Sequence, residues 1–232
     1  MPISKTTFKN PPAVEVKAAV QFPNNLLVAD DRAGFHAMIK REFPFVVMPD
    51  LKQLQYDFGD YTIYTENQVY RLEIAMNYFR LVAAKYTGFQ DFRKMYLAAV
   101  SMFARYYRIM EFNSFAFQYV NKLPLPGGIT FDECFTIKVT LPEELGVSLY
   151  VGKGLLVFKE DDGFVLIELE PQLTGLTPES YGMNLTFSVE RHLTVSDDRN
   201  EVIEFLDKAH DRLSDFFFSI LQPKVIEHLQ SR

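Results

Sequence analysis

The sequence predicts an α+β fold in which antiparallel strands are covered on one side by long helices. Several segments alternate apolar and polar residues, which is the pattern of strands buried on one face. Two longer segments instead repeat apolar residues every three or four positions, as helices do. Each helix ends a group of strands, so the chain repeats its outline in residues 1–111 and 112–232. We therefore predict duplicated halves, built on two sheets or on one continuous curved sheet, each closed by a long helix packed on one sheet face.

The first half begins with a strand bounded by prolines, whose alternate apolar positions are Val14, Val16, Ala18, Val20 and Phe22. Asp30 or Asp31 can cap a helix that Pro44 terminates, with apolar residues Phe35, Met38, Ile39 and Phe43. Residues 54–64, 69–76 and 79–84 predict three strands, and their short connections favour antiparallel hairpins. Thr87 and Gln90 then suggest a capping box for the central helix, whose apolar stripe is Phe89, Phe92, Tyr96, Ala99, Val100, Phe103 and Tyr107.

The second half starts with a strand over residues 115–120 that stops at Pro124. Further strands are predicted over residues 135–141, 148–159, 164–169 and 183–189, and Asp161-Asp162-Gly163 is a strong hairpin turn signal. Asp198 with Glu201 can cap the last long helix. Its stripe is Val202, Leu206, Ala209, Leu213, Phe216, Phe217 and Ile220. Pro223 suits the first turn of a short terminal helix.

Composition and charge narrow the class of protein. The chain has 232 residues, of which 48% are hydrophobic and 15% aromatic, which is typical of an ordered globular protein. Its net charge is −6, but residues 69–110 contain seven basic and two acidic residues while residues 129–232 contain nine and nineteen. Overall acidity argues against a dedicated nucleic-acid binder, although a local basic face could still meet phosphates.

The sequence gives no sign of secretion or of a membrane span. The first ten residues are polar and lack an apolar signal region. No apolar run approaches the roughly 18 residues that a spanning helix needs. Cys134 is the single cysteine, so an intramolecular disulfide is excluded. We expect a cytoplasmic protein with no membrane association.

Four stretches of the chain carry a resemblance to a known family. They are Asn10-Pro11-Pro12-Ala13-Val14-Glu15-Val16, Tyr86-Thr87-Gly88-Phe89-Gln90-Asp91-Phe92, the strand from Phe117 to Pro126 that contains Tyr119-Val120-Asn121-Lys122-Leu123-Pro124, and the segment from Ala209-His210-Asp211 to Phe217 and Ile220. Together they resemble an uncharacterised, sporadically distributed family of bacterial and archaeal proteins. Because that family has no established activity, the resemblance implies the fold and a prokaryotic origin far more than a function.

No catalytic, cofactor or metal signature stands out. The four histidines lie on separate predicted elements and show no H-E-x-x-H spacing. Gly152-Lys153-Gly154 lacks the helix and the hydroxyl residue of a phosphate-binding loop, so a hairpin bend explains it better. Cys134 has no fixed histidine partner and is expected to be a small buried apolar residue. We therefore predict no catalytic residue, no metal and no cofactor, and favour a non-enzymatic protein while keeping an enzyme as an alternative.

The first candidate surface is a basic face on the central helix. Arg93, Lys94, Arg105 and Arg108 project away from the apolar stripe. Arg71, Arg80 and Lys85 are near in sequence and could extend this face. It could bind an acidic protein partner or nucleic acid, but exposed charges are also the ordinary covering of a solvated helix, and surface ion pairs contribute only ~0–1 kcal/mol.

The second candidate surface is the polar side of the predicted strands. Its members would line an open sheet face opposite the helices: Lys17, Gln118, Lys138, Asn184, Ser188, Glu190 and His192. Such a face could hold a peptide or a ligand, or could simply meet water, as one side of many antiparallel sheets does.

The leading hypothesis is a non-enzymatic binding or regulatory protein of a prokaryotic accessory locus, for example one of the defence type, that acts through a protein partner. One alternative is a small-molecule sensor that uses the sheet face or the cleft between the halves. Another, ranked lower, is nucleic-acid binding through the basic helix face. Homo-oligomerisation also remains open.

Overall fold

The computed structural model describes residue 8 and residues 11–47, 61–125, 129–138, 153–173, 181–192, 195–196 and 199–231. Within these ranges the chain forms eleven strands and six helices. In chain order they are β1 (Ala13–Gln21), α1 (Leu26–Asp30), α2 (Arg32–Ile39), β2 (Phe45–Val47), β3 (Tyr61–Tyr64), β4 (Tyr70–Ala75), β5 (Tyr78–Ala83), α3 (Phe89–Tyr107), β6 (Glu111–Phe112), β7 (Ser114–Pro124), α4 (Phe131–Cys134), β8 (Gly154–Glu160), β9 (Gly163–Leu173), β10 (Tyr181–Arg191), β11 (Val195–Ser196), α5 (Arg199–Ile220) and α6 (Pro223–Ser231).

Nine of these strands form one antiparallel sheet in the order β2-β3-β4-β5-β1-β7-β10-β9-β8. The opening strands of the two predicted halves, β1 and β7, lie side by side, with Ala18 opposite Phe117. The α+β class is therefore confirmed, and the strands of both halves belong to one continuous sheet. Strands β6 and β11 pair separately, and the predicted boundary between residues 111 and 112 falls inside β6.

Strand alternation places one set of side chains in the core. Val16, Ala18 and Val20 of β1 are at most 1% exposed, and the register sets them beside core residues of β5 and β7. Gly163 follows the predicted turn at the start of β9. A Cβ there would lie 1.8 Å from the backbone oxygen of Glu190, so a glycine is needed for β9 to approach β10 this closely.

Both long helices pack on this core face of the sheet, as expected. On α3, the rings of Phe103 and Phe79 are 4.8 Å apart. On α5, the rings of Phe205 and Phe115 are 5.1 Å apart. The buried residues of α3 include all but one of the predicted stripe, since only Phe89 is half-buried. The helical periodicity therefore identified the packed faces correctly.

The start of α3 differs from the prediction. Gly88, and not Thr87, is the N-cap residue, and the helix has no side-chain capping hydrogen bond. The expected capping box with Gln90 is wrong, because the Thr87 hydroxyl instead donates to Asp91 Oδ2 over 3.4 Å. Gly88 has φ of +146° and ψ of 157°, a conformation that only glycine adopts readily. The sharp entry into the helix depends on this residue.

The strand predicted over residues 135–141 is wrong where the structure describes it. Residues 131–134 form α4, which begins with a capping box between Thr130 and Glu133. Phe135 then makes a single bridge to Leu221, and its ring packs 4.8 Å from that of Phe131. The apolar residues at this point therefore serve a helix and its packing, not a strand. Residues 54–60, 139–141 and 148–152 of the predicted strands, and the proposed cap Asp198, lie outside the described residues.

Candidate functional site

A cavity of about 710 Å³ lies on the core face of the sheet, where the start of β1, the end of β7, the N-terminus of α3 and the second half of α5 meet. We call it the junction cavity. Half of its lining residues carry aromatic side chains: Phe8, Tyr86, Phe89, Tyr119, Phe187, His210, Phe217 and Phe218. The others are Pro11, Pro12, Ala13, Thr87, Gly88, Asn121, Leu213 and Ser214. The wall is thus mostly apolar, with a few polar groups at fixed places.

Tyr119 sits at the centre of a hydrogen-bonded chain in this wall. Its hydroxyl lies 3.2 Å from the hydroxyl of Tyr86 and 2.9 Å from Nδ1 of His210. In one arrangement Tyr86 donates to Tyr119, and Tyr119 donates to His210. In the other, His210 donates to Tyr119, Tyr119 donates to Tyr86, and the Tyr86 hydroxyl can then donate into the cavity. The chain can therefore present either a donor or an acceptor to a ligand.

Burial keeps both tyrosines neutral. Burial, reinforced by the nearby Tyr86 hydroxyl, raises the pKa of Tyr119 far above its ordinary value. Burial also raises the pKa of Tyr86, although its hydrogen bond with Tyr119 works in the opposite direction. At neutral pH the two hydroxyls thus remain protonated, and they can donate or accept hydrogen bonds without carrying charge.

His210 is held by aromatic packing as well as by its hydrogen bond. The ring of Phe89 stacks on it with centroids 3.8 Å apart and planes within 9°. Phe89 is the first residue of α3 and His210 is in the middle of α5, so this stack joins the two long helices. One turn away, Arg93 donates from Nε and from a terminal nitrogen to the carboxylate of Asp207, over 2.7 and 2.9 Å. The helix contact that forms this side of the cavity is therefore fixed at two points.

Asn121 is the buried polar residue of the cavity wall. It lies on β7 in the face that also carries Phe117, Tyr119 and Leu123, and it is 4% exposed. Its Nδ2 donates to the backbone oxygen of Leu185 on β10 over 3.0 Å. Among the residues that the structure describes, Oδ1 of Asn121 has no hydrogen-bond partner. A carbonyl oxygen on a core-facing position, beside a cavity, is available to a ligand donor.

The four predicted basic-face residues do not form one free surface. Arg93 is engaged with Asp207, as described above, whereas Lys94, Arg105 and Arg108 are exposed. Arg108 ends α3 in the left-handed conformation with φ of 54°. The two arginines that were expected to extend this surface, Arg71 and Arg80, lie on the opposite side of the sheet, because the register pairs Arg71 with Val82 and Arg80 with Ala19. The extended basic patch is therefore wrong.

Part of the predicted sheet-face site does come together. We call the sheet side away from α3 and α5 the polar sheet face. There the register places Lys17, Gln118 and Ser188 in one row, and Gln118 Nε2 donates to the Ser188 hydroxyl over 2.8 Å. Asn184 lies on the same face, opposite Lys122 of β7. These side chains thus share one face of the sheet, where Ser188 is buried and Val120 separates Gln118 from Lys122.

Glu190 and His192 border a separate hollow on the polar sheet face. The hollow has a volume of about 310 Å³, and its wall also includes Arg80 and Tyr78. Lys138 is not part of this surface. It follows α4 outside any strand, since the strand that would have placed it on the sheet does not form there, and the nearby Thr136 hydroxyl donates to the backbone oxygen of Ser219 on α5.

Salt bridges neutralise much of the polar sheet face. Lys17 bonds to Glu15 over 2.8 Å, and Arg71 joins Glu15 to Glu73 over 3.2 and 2.7 Å. Arg80 Nε completes the network by donating to Glu73 over 2.6 Å. Partial burial would raise the pKa of Glu15, but Lys17 and Arg71 outweigh it and hold that pKa below its usual value. Three basic and two acidic side chains of this face are therefore joined in one network.

Sequence reasoning did not identify the junction cavity, although a signal was present. Three of its walls come from residues that are far apart in the chain: Tyr86, Tyr119 and His210. The signal was the polar Asn121, which continues the apolar face of a strand.

Two further features of the described residues bear on the kind of site. Within the described ranges, no three His, Cys, Asp or Glu side chains are grouped so that they could hold a metal ion. None of the described helices combines the length and apolar character needed to cross a bilayer.

Comparison of the chain with protein-family models, with curated proteins and with solved structures finds no match.

Proposed function

We propose that this protein is a non-enzymatic binding protein whose junction cavity holds a small, neutral, aromatic molecule. The observation that carries this proposal is the wall itself, in which half of the described lining residues have aromatic side chains and the titratable ones are His210 and the two tyrosines. Ligand sites are typically concave, mostly apolar and supplied with a few fixed polar groups, within roughly 300–1,000 Å³. The junction cavity, at about 710 Å³, fits this description.

The wall chemistry favours a neutral ligand over a charged one. An ionised group transferred from water into an apolar site is strongly destabilised unless an opposite charge or several hydrogen bonds compensate. None of the lining residues that the structure describes is Asp, Glu, Lys or Arg. Aromatic walls instead favour flat rings, which they contact by stacked or edge-to-face packing worth about 0.5–1.5 kcal/mol per pair beyond area burial.

The protonation state of the two tyrosines supports ligand recognition more than proton transfer. A general base must be unprotonated near the working pH, so that it can accept a proton. Because burial raises the pKa of Tyr86 and Tyr119, their hydroxyls are poor bases at neutral pH. They remain suited to recognising a ligand through hydrogen bonds.

The position of the cavity suggests how a bound ligand would affect the two halves of the protein. We propose that the halves follow one plan: β1, α2, β2 to β5 and α3 in the first, and β7, α4, β8 to β10 and α5 in the second. The cavity lies where β1 meets β7 and α3 meets α5. A ligand there contacts both halves, and so binding would stabilise their association by mass action.

A thermal-shift and calorimetric titration with toluene and with indole tests this function. We expect both probes to raise the melting temperature and to bind in the wild type. Ser214→Phe, which introduces a ring at the wall, should abolish binding, whereas Ser101→Phe on the exposed side of α3 should not. If neither probe binds the folded wild type, or if binding survives Ser214→Phe, the proposal is wrong.

A second candidate function, binding of a protein partner, is favoured by a separate surface. Leu26, Leu27 and Met110 are 65%, 51% and 73% exposed, and they line a groove of about 500 Å³ together with Arg108. Clustered exposed apolar residues often mark protein contacts. The expected partner segment has apolar side chains for the groove and a carboxylate for Arg108.

Co-purification at low salt tests this second function, since charge pairing is strongest there. A partner retained by the wild type and by Lys94→Glu, but lost with Leu27→Lys and with Arg108→Glu, would support it. Lys94 is the matched control because it is exposed on the same helix but does not line the groove. Loss with Lys94→Glu to the same extent would indicate a general charge effect instead.

A further inference from the structure

We infer that the junction cavity selects its ligand through Asn121, and that the ligand is a flat aromatic ring system with an N–H or O–H donor, such as an indole or a phenol. This inference rests on the proposed function, because it names the ligand class of the same cavity. The Asn121 Oδ1 atom accepts the donor of the ligand, and the aromatic wall accepts its rings.

The placement of Asn121 is the first support. Strand alternation assigns position 121 to the core face, where the neighbouring positions on β7 are Tyr119 and Leu123. An apolar residue would be the ordinary choice there, since a buried amide is unfavourable unless its groups are hydrogen-bonded. Only 4% of the surface of Asn121 is exposed, yet its Oδ1 is not among the described buried side-chain atoms that lack a partner, so this oxygen can be reached from the cavity.

The hydrogen bonds of Asn121 show which partner is needed. Its Nδ2 is occupied by the backbone oxygen of Leu185, and this fixes the orientation of the amide. Oδ1 then lies on the other branch of the amide, and no described residue donates to it. Two other buried polar residues are hydrogen-bonded through their hydroxyls: Thr65 bonds to Asn67 and Tyr70, and Ser188 accepts from Gln118. What Asn121 lacks is a donor.

The Tyr86–Tyr119–His210 chain does not impose a choice of its own. Because its protons can run in either direction, it accepts a ligand group of either polarity. The amide of Asn121 cannot reverse in this way without losing its bond to Leu185. Asn121 therefore distinguishes ligands that have a hydrogen-bond donor from ligands that lack one. The tyrosine chain can bind a second polar substituent of the ligand, whether it is a donor or an acceptor.

A pair of isomers isolates the donor in an experiment. The compound 3-methylindole keeps its N–H, whereas 1-methylindole has a methyl group in its place, and the two share composition and nearly the same apolar surface. We expect the wild type to bind 3-methylindole about tenfold more tightly in calorimetric titration, because a neutral hydrogen bond and the cost of an unmet acceptor together are of this order. Asn121→Leu should bring the two affinities within about twofold.

Asn184→Leu is the matched control, since Asn184 lies on the polar sheet face, outside the cavity, and this variant should keep the tenfold preference. Equal binding of both isomers by the wild type, or a preference that survives Asn121→Leu, would overturn the inference while leaving the proposed function intact. Failure of both isomers to bind the folded wild type would instead remove the proposed function and the inference together. The comparison of isomers on the wild type stands even if the Leu variant does not fold.

Discussion

Replacing Tyr119 with Phe should destabilise the protein by about 1–2 kcal/mol. The substitution keeps the ring, which packs edge-to-face on Phe117 at 4.9 Å and on Tyr86 at 5.5 Å. It removes only the hydroxyl that joins Tyr86 to His210. Any loss of stability therefore reports on the hydrogen-bonded chain and not on core packing.

The magnitude follows from the two hydrogen bonds that are lost. A typical intramolecular hydrogen bond contributes about 0.5–1.5 kcal/mol net, so two contribute about 1–3 kcal/mol. Tyr86 and His210 are only half-buried and line the cavity, so water can reach the groups left behind. This rehydration removes the upper part of the range.

Urea denaturation followed by circular dichroism measures the effect. Tyr64→Phe is the matched control, because Tyr64 is half-buried on β3 and the described residues give its hydroxyl no hydrogen bond. The control should change the free energy of unfolding by less than about 0.5 kcal/mol. If Tyr119→Phe is as stable as the wild type, or if Tyr64→Phe loses as much, the hydrogen-bonded chain does not stabilise the cavity wall.

Three further outcomes are expected. Phe103→Ala should cost about 3–5 kcal/mol in urea denaturation, because Phe103 is fully buried between rings of both layers, and Ser101→Ala on the exposed side of the same helix should cost almost nothing. Gly88→Ala should lower the free energy of unfolding by about 1–3 kcal/mol, because alanine is strained at a φ of +146°. A Cβ there would meet no atom within 4 Å, so backbone strain and not a clash is the cause. If Gly154→Ala lowers the free energy of unfolding as much, backbone strain at position 88 is not the cause. The Thr130 backbone and Lys224 lower the pKa of Glu133 from 4.5 to about 2. The ionised carboxylate therefore stabilises the fold above pH 4.5, and this contribution is lost as the pH falls towards 2. Glu133→Gln can keep the capping box, so its free energy of unfolding in urea denaturation should depend less on pH between 4.5 and 2.

Alternation and helical periodicity predicted the large elements because each reflects burial of one face. Thus β1 and β7 alternate cleanly, and the stripes of α3 and α5 match buried residues except at Phe89 and Phe216, which are half-buried. Short elements do not carry enough pattern to be recognised. Strand β2 has three residues, and α4 has four, in which the Thr130 to Glu133 capping box was the available signal.

The basic patch shows why proximity in sequence is a poor guide to a surface. Arg71, Arg80 and Arg93 are close along the chain, but the first two lie on strands whose alternation points them away from the helices. Their charges then join Glu15 and Glu73 in one network. The alternation of each strand, together with the register between β1, β4 and β5, would have placed Arg71 and Arg80 on the sheet face opposite the helices.

The junction cavity could not be located from the sequence because its walls meet only after β1 pairs with β7 and α3 packs on α5. Position 121 nevertheless offers a direct test of whether function or folding explains the buried amide. Leu at this position would lose the bond to Leu185, worth about 1 kcal/mol, but would bury apolar surface worth about 1.5–3 kcal/mol. Asn121→Leu should therefore be about 1 kcal/mol more stable than the wild type in urea denaturation, at the expense of ligand selection. A loss of stability would mean that Asn121 serves the fold, and that its oxygen is not reserved for a ligand.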